Sequence, residues 1–129
     1  MGGRVVIEVL FAAYAARDVR EMMGCLDDRV RWTEAKGFPY SGTHVGPKAV
    51  LDNVWMRMGT EWDDWEVRPD DTIIVEGEHV ARAGTYSGTH KATGKSFSAR
   101  FAHIFEVRNG KIIRFEQFVD SAEVDEALT

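Results

Sequence analysis

The segment from Phe97 to Val107 constrains the fold more than any other part of the chain, because apolar and polar residues alternate along it. Successive side chains of a β-strand point to opposite faces of a sheet, so this pattern predicts a strand with one apolar face. The residues on that face are Phe97, Ala99, Phe101, His103, Phe105 and Val107. The pattern therefore places the polar His103 in the middle of an inward, aromatic row.

A return strand is predicted from Ile112 to Val119, after a turn at Asn109-Gly110. Its inner row reads Ile113, Phe115, Gln117 and Val119. The two rows can share one face only if the connecting loop has an odd length, so we predict a three-residue loop at positions 108–110. This register pairs His103 with Phe115 and leaves Gln117 diagonally across from His103, within side-chain reach.

The inward pair of His103 and Gln117 has two interpretations. Each buried polar group needs a hydrogen-bond partner, at a cost of roughly 1–3 kcal/mol if none is available. The pair is either a satisfied polar contact in the core or the lining of a ligand cavity. In a cavity, the imidazole could act as acid, base or hydrogen-bond donor near neutral pH. The alternation alone does not separate these interpretations.

The rest of the chain places helices before strands. Predicted helices cover Val5 to Ala16, a short segment opened by the Asp18/Glu21 capping box, a segment opened by Gly46-Pro47, and the C-terminus after Asp120-Ser121. A short strand at Val30 to Trp32, a loop at 37–46, and strands from Trp65 to Val75 and Val80 to Ser87 complete the prediction. This order predicts an α+β fold with an antiparallel sheet.

Composition excludes several classes of protein. The 129 residues are expected to form one domain, 1–129, and the net charge of −5 argues against a binder of duplex DNA. Cys25 is the single cysteine, and the four histidines show no metal-ligand spacing, so neither a disulfide nor a metal is expected. No segment has the length and apolarity of a membrane span or the pattern of a secretory signal, which favours a cytoplasmic protein.

Three segments resemble a known family in order and spacing. They are Leu26-Asp-Asp-Arg-Val-Arg-Trp32, Gly42-Thr-His-Val-Gly-Pro-Lys-Ala-Val50, and the run from Phe101-Ala-His-Ile-Phe-Glu to Val-Asp120. Together they resemble the SnoaL-like polyketide cyclases and ketosteroid-isomerase-related proteins of the nuclear transport factor 2-like superfamily. The resemblance implies a cone-shaped α+β barrel in which N-terminal helices cover a curved antiparallel sheet and enclose an apolar pocket. A short C-terminal helix follows the sheet.

The resemblance also suggests site residues, with one departure. Ketosteroid isomerases use an Asp base together with a Tyr and a protonated Asp as oxyanion donors. On that pattern the base falls near Thr33 or Glu34, the second donor near His103, and the tyrosine near Leu10. Since Leu10 cannot donate a hydrogen bond, steroid isomerisation by this constellation is not expected.

The cyclases of the family imply a different acid–base residue. They resemble enzymes that rely on an Asp near the end of the last strand, where this chain has Asp120. Asp120 with Glu123 three residues later is also a good N-cap for the final helix, so both roles stay open.

The candidate catalytic residues are therefore His103, Asp120 and Glu34. Glu34 lies two residues after Trp32 at the end of a predicted strand, so the two side chains are expected on the same face. Candidate ligand-binding residues are Gln117, Tyr40, Trp55, Phe101, Phe115 and Tyr14, each of which could equally serve the core or an exposed loop. The predicted function is a cofactor-independent isomerase or cyclase that performs acid–base chemistry on a small apolar carbonyl compound.

Two other functions remain open. One is a non-catalytic domain that binds a small apolar ligand in the same pocket. The other is a homodimeric interaction module that uses Ile104 and Phe118 on the outer face of the sheet.

Overall fold

The computed structural model describes residues 2–129. Its helices are α1 (Gly3–Ala16), α2 (Val19–Gly24), α3 (Pro47–Val50), α4 (Met56–Glu61) and α5 (Ser121–Leu128), with a π-helical turn, Leu51–Trp55, between α3 and α4. Its strands are β1 (Leu26–Glu34), β2 (Gly42–Val45), β3 (Trp62–Pro69), β4 (Ile74–Glu76), β5 (His79–His90), β6 (Ser96–Arg108) and β7 (Lys111–Val119). The predicted α+β order of helices, strands and a final helix is confirmed.

The strands form one sheet in the order β2-β1-β7-β6-β5-β3, with β4 paired to β5. Neighbouring strands are antiparallel except β1 and β7, which run parallel. Register shifts interrupt the β1–β7, β3–β5 and β6–β7 pairs, and such irregularities bend and twist a sheet. The bent sheet wraps around α1, whose inward side carries Val6, Ile7, Leu10, Phe11 and Ala13 at helical spacing.

The alternation predicted for the long strand is confirmed. All six inward residues of β6 are buried, while the intervening residues are exposed or partly exposed. His103 and Gln117 are both on the inner face, with 2% and 3% of their surface exposed.

The predicted loop of the β6–β7 hairpin is wrong. Arg108 pairs with Lys111, so the loop is the two-residue Asn109-Gly110 turn, in which both residues have positive φ. The extra residue that brings the two apolar rows onto one face lies in β7 instead, where Ile113 forms a bulge between Ile112 and Arg114. As a result His103 pairs directly with Gln117, not with Phe115.

The segment at 37–46 also differs from its prediction as a loop throughout. Gly42–Val45 is an edge strand that pairs with Arg31 to Glu34 of β1. Its side chains are mostly exposed and show no apolar alternation, so its hydrogen-bonded partner is what makes it a strand.

Two of the predicted helix starts, those of α2 and α3, are confirmed in detail. The Asp18 carboxylate accepts a hydrogen bond from the Glu21 N–H at the start of α2. Pro47 is the first residue of α3, where its missing N–H costs nothing.

Candidate functional site

A cavity of about 850 Å³ lies between the helices and the inner face of the sheet. This volume is within the usual range for small-molecule sites. Six of the residues that line it are aromatic: Tyr14, Trp32, Trp55, Trp65, Tyr86 and Phe115. The charged and polar residues of the lining are Arg17, Glu34, Thr60, Glu66, Arg68 and His103.

The aromatic wall is a packed unit rather than a set of separate contacts. Trp32 stacks on Phe115 at 3.7 Å between ring centroids, and the edge of Trp55 meets Trp32 at 5.4 Å. Tyr14 meets Trp55 edge-on at 6.1 Å. Such ring contacts add to the stability gained from burial, so this wall of the cavity is largely preformed.

Glu34 brings a carboxyl group into this apolar environment. It is the last residue of β1, has 3% of its surface exposed, and lines the cavity. The side chain of Trp32, two residues earlier in β1, lies beside this carboxyl group. Burial raises its pKa to about 8, and the neighbouring Trp32 indole N–H opposes the rise.

His103, Tyr86 and Gln117 form a hydrogen-bonded chain beside the cavity. The Ala35 N–H donates to Gln117 Oε1 at 3.0 Å, and Gln117 Nε2 donates to the Tyr86 hydroxyl at 3.0 Å. The Tyr86 hydroxyl and His103 Nε2 share a hydrogen bond. Because Ala35 follows Glu34, this chain ends next to the candidate carboxylate.

Burial keeps the members of this chain neutral. It lowers the pKa of His103 to about 3, so the imidazole carries no charge at neutral pH. It raises the pKa of Tyr86 well above its ordinary value, and the charge of Glu34 adds to the rise. The electrostatic effect of Glu34 on Tyr86 is consistent with their lining the same cavity.

The predicted candidates fall into three groups. Glu34, His103, Trp55, Phe115 and Tyr14 all line the cavity. Gln117 and Phe101 lie one layer behind: Gln117 binds the Tyr86 hydroxyl, and Phe101 stacks on Tyr86 and on His103, each at 4.3 Å.

Tyr40 and Asp120 lie outside the cavity lining. The Tyr40 hydroxyl donates to Glu61 at 2.8 Å and accepts from the Trp62 indole at 3.0 Å, in a separate buried cluster. Asp120 is exposed and directly precedes α5, but its side chain makes no capping hydrogen bond.

Three aromatic residues of the lining were not predicted from the sequence: Tyr86, Trp32 and Trp65. A signal for Tyr86 was present, since it shares the parity of Val80 and Gly84, which are also buried in β5. Trp65 offered no such signal, because β3 carries a register shift between Asp63 and Glu66.

Among residues 2–129, no cluster of His, Cys, Asp and Glu could hold a metal ion. No helix in this part of the chain is long and apolar enough to cross a membrane.

The fold and the cavity together define an α+β cone protein with a pocket of small-molecule size. The family model for the SnoaL-like domain matches residues 7–115. The solved structure of a nuclear transport factor 2-like protein from Burkholderia thailandensis is 36% identical, with 100% of this chain and 98% of that chain covered and a TM-score of 0.96. The chain belongs to the SnoaL-like family.

Two more distant structures share the fold. TerC, co-crystallised with polyporic acid, is 22% identical over 98% of this chain and 97% of its own, with a TM-score of 0.87. IdmH from Streptomyces antibioticus, a proposed polyketide cyclase, is 18% identical over 99% of each chain, with a TM-score of 0.80. No curated protein matches the chain.

Proposed function

We propose that this protein is a cofactor-independent isomerase or cyclase in which Glu34 moves a proton on a small, largely apolar carbonyl compound. One observation carries the proposal: a buried carboxyl group lines a largely apolar cavity of small-molecule size. Such a carboxyl group is costly to ionise, because burial penalises its charged form. Its raised pKa, about 8, suits a base that works near neutral pH.

The proposed step conserves atoms and charge. The Glu34 carboxylate takes a proton from the carbon next to the carbonyl group, and the electron pair of the broken C–H bond forms an enolate. A hydrogen-bond donor stabilises the charge that develops on the enolate oxygen. The proton then returns from Glu34 to the same or another carbon, which gives exchange or isomerisation. Alternatively, the enolate carbon attacks a second carbonyl group and closes a ring, and the alkoxide formed takes the proton back from Glu34.

The residues that line the cavity favour an apolar and unsaturated substrate. The lining contains six flat aromatic side chains among aliphatic and methionine residues, so a planar ligand would gain both burial and ring contacts. TerC binds polyporic acid, and IdmH is a proposed polyketide cyclase. Both facts concern those proteins, and they favour a ligand of the same general chemistry here.

Hydrogen–deuterium exchange at the α-carbon of 1-tetralone tests the proposal, because this ketone combines an aromatic body with protons next to a carbonyl group. In D₂O, we expect the protein to accelerate exchange, measured by proton NMR, and the rate to rise with pH through about 8 as the Glu34 carboxylate forms. Glu34→Gln should reduce the rate by about 10²-fold or more.

Glu126→Gln is the matched control, since Glu126 is exposed on α5. It should exchange 1-tetralone at the wild-type rate. Undiminished exchange in Glu34→Gln would contradict the assignment of the base. Binding of 1-tetralone without exchange in the wild type would favour the alternative function, a non-catalytic ligand-binding domain.

We also propose that the protein forms a homodimer through the outer face of the sheet. Ile104 on β6 and Phe118 on β7 are diagonal neighbours, since Phe118 pairs with Ala102 and Ile104 with Glu116. Their surfaces are 43% and 47% exposed. Large exposed apolar side chains in one patch are typical of a contact surface. A second copy of the same chain would cover them by a symmetric contact.

A further inference from the structure

The chemistry of the hydrogen-bonded chain beside the cavity depends on which atom donates the hydrogen bond between Tyr86 and His103. The orientation of Gln117 is settled, because its Oε1 accepts from the Ala35 N–H at 3.0 Å. Its amide nitrogen must therefore face the Tyr86 hydroxyl, to which it donates at 3.0 Å. The remaining question is whether Tyr86 donates to His103 or accepts from it.

If Tyr86 donated to His103 Nε2, the hydrogen of the neutral imidazole would be on Nδ1. That nitrogen is buried and has no hydrogen-bond partner among residues 2–129. Aromatic rings surround the imidazole: Phe101 stacks on it at 4.3 Å, and Phe115 meets it edge-on at 4.7 Å. This arrangement would leave a buried N–H unpaired, which is rare in native proteins.

If His103 Nε2–H donates to Tyr86, only a lone pair on Nδ1 is left without a partner, and under-satisfied acceptors are less rare than unpaired donors. The Tyr86 oxygen then accepts two N–H bonds, from Gln117 and from His103. Its own hydrogen is free, and Tyr86 lines the cavity. The second arrangement gives every N–H of the chain an acceptor and leaves the Tyr86 O–H free to donate to a ligand in the cavity.

We propose that the Tyr86 hydroxyl, held by N–H donors from Gln117 and His103, is the hydrogen-bond donor to the carbonyl oxygen of the ligand. Gln117 and His103 are positioning residues that act through Tyr86. Two donated hydrogen bonds polarise the hydroxyl and strengthen it as a donor, and its preset direction suits it to an enolate oxygen. The inference rests on the proposed function only in taking the ligand to be a carbonyl compound.

The location of Tyr86 relative to Glu34 fits this role. Gln117 links the Tyr86 hydroxyl to the backbone of Ala35, the residue after Glu34. Tyr86 and Glu34 also line the same cavity, so a single ligand there contacts both. The high pKa of Tyr86 keeps its proton in place at neutral pH.

The first test is the tautomer of His103 in the unliganded wild type. Two-bond ¹H–¹⁵N correlation spectra at pH 7 distinguish the two neutral imidazole forms, and His103→Gln identifies the signal. We expect the Nε2–H form. The Nδ1–H form would overturn the proposal. This measurement needs neither a ligand nor turnover, so it is independent of the proposed function and of whether a Tyr86 variant folds.

The second test compares the affinity for 1-tetralone with that for tetralin, which has the same ring skeleton and no oxygen. We expect the wild type to bind 1-tetralone about tenfold more tightly, the usual size of one hydrogen bond. Tyr86→Phe should remove this preference and keep the affinity for tetralin. A preference that survives in Tyr86→Phe would overturn the proposal.

Two further variants separate the roles. Glu34→Gln should keep the preference for 1-tetralone while losing α-proton exchange, so a failure of the base and a failure of the donor give different results. Gln117→Glu replaces the N–H donor with an oxygen, which would draw the Tyr86 hydrogen away from the cavity. We expect it to lose the preference, as a purely structural residue would not, and a retained preference would count against the positioning role.

Discussion

At the scale of single residues, burial acts on two ionisable groups in opposite directions. It raises the pKa of Glu34 to about 8 and lowers that of His103 to about 3. Burial penalises the charged form of each group, so both are predominantly neutral near pH 6. Only Glu34 changes its charge close to physiological pH, which is why the carboxyl group rather than the imidazole is the proposed base.

The raised pKa of Glu34 predicts an effect on stability. A carboxyl group protonated in the native state but ionised in the unfolded chain makes the protein less stable as pH rises from about 4.5 to about 8. A tenfold change in an acid dissociation constant corresponds to about 1.4 kcal/mol. Glu34→Gln should therefore be more stable than the wild type at pH 8, by up to about 5 kcal/mol, and similar to it at pH 4.

Urea unfolding at pH 4, 6 and 8 measures this difference in the free energy of unfolding. Glu126→Gln, on the exposed side of α5, is expected to differ from the wild type by less than about 0.5 kcal/mol at all three values. A stability gain in Glu34→Gln that does not grow between pH 4 and pH 8 would rule out a strongly raised pKa.

At the scale of elements, the strand β5 carries the Tyr86 side chain and must let Phe101 of β6 lie close against it. Gly84, paired with Phe101, provides this space. A Cβ atom there would lie 2.5 Å from the Arg68 carbonyl oxygen and 2.5 Å from the Phe101 ring. Since Phe101 stacks on Tyr86 and on His103, the glycine helps to hold both groups in place.

Gly84→Ala is therefore expected to be destabilising by about 1–3 kcal/mol, the usual cost of overpacking. It should also weaken the preference for 1-tetralone over tetralin. Gly88→Ala on the same strand is the matched control, because its added Cβ would meet the Trp65 ring at 3.4 Å and backbone at 3.5 Å. Denaturant unfolding of both variants checks the prediction, and equal losses would show that the approach of Phe101 is not what Gly84 provides.

The β6–β7 hairpin illustrates which features of an element sequence can predict. Alternation assigned the faces of β6 correctly, because a buried face leaves a pattern in the residue types. Alternation could not locate the one extra residue of the hairpin, because a three-residue loop and a bulge in the strand both bring the two apolar rows onto the same face. The contacts of Ile112 show why the extra residue is a bulge. Ile112 is fully buried, pairs with Leu26, and its N–H donates to the Cys25 carbonyl at 2.8 Å. These contacts with a distant part of the chain place the bulge at Ile113.

At the scale of the whole molecule, the sheet has two faces with different uses. The inner face lines the cavity, while the outer face carries ion pairs such as Arg100 with Asp70 at 2.6 Å. Exposed pairs of this kind contribute little to stability. The apolar Ile104 and Phe118 interrupt this charged surface, which is why the homodimer is proposed there.

Sedimentation velocity tests the homodimer. The wild type is expected to sediment as a dimer, and Phe118→Glu as a monomer with an unchanged circular dichroism spectrum, because a buried unpaired charge disfavours the contact. Val5→Glu, which changes an exposed apolar residue of α1, should remain dimeric. A monomeric wild type, or a dimer that tolerates Phe118→Glu, would refute the proposed contact.

The sequence by itself determined the succession of helices, strands and a final helix, the starts of α2 and α3, the inner face of β6 and the burial of His103 and Gln117. These features follow from local propensities and from the period of the apolar pattern, both of which reside in neighbouring residues. The matched family segments extended this to the fold as a whole.

Only the tertiary structure decided which polar residues share one cavity. Glu34, Tyr86 and His103 belong to β1, β5 and β6, and they come together because these strands lie within one bent sheet whose inner face lines the cavity. Asp120, the other acidic candidate for the catalytic base, is exposed to solvent directly after the last strand. The direction of each hydrogen bond likewise depends on partners far apart along the chain, so the period of the pattern could identify a buried histidine but not what it holds in place.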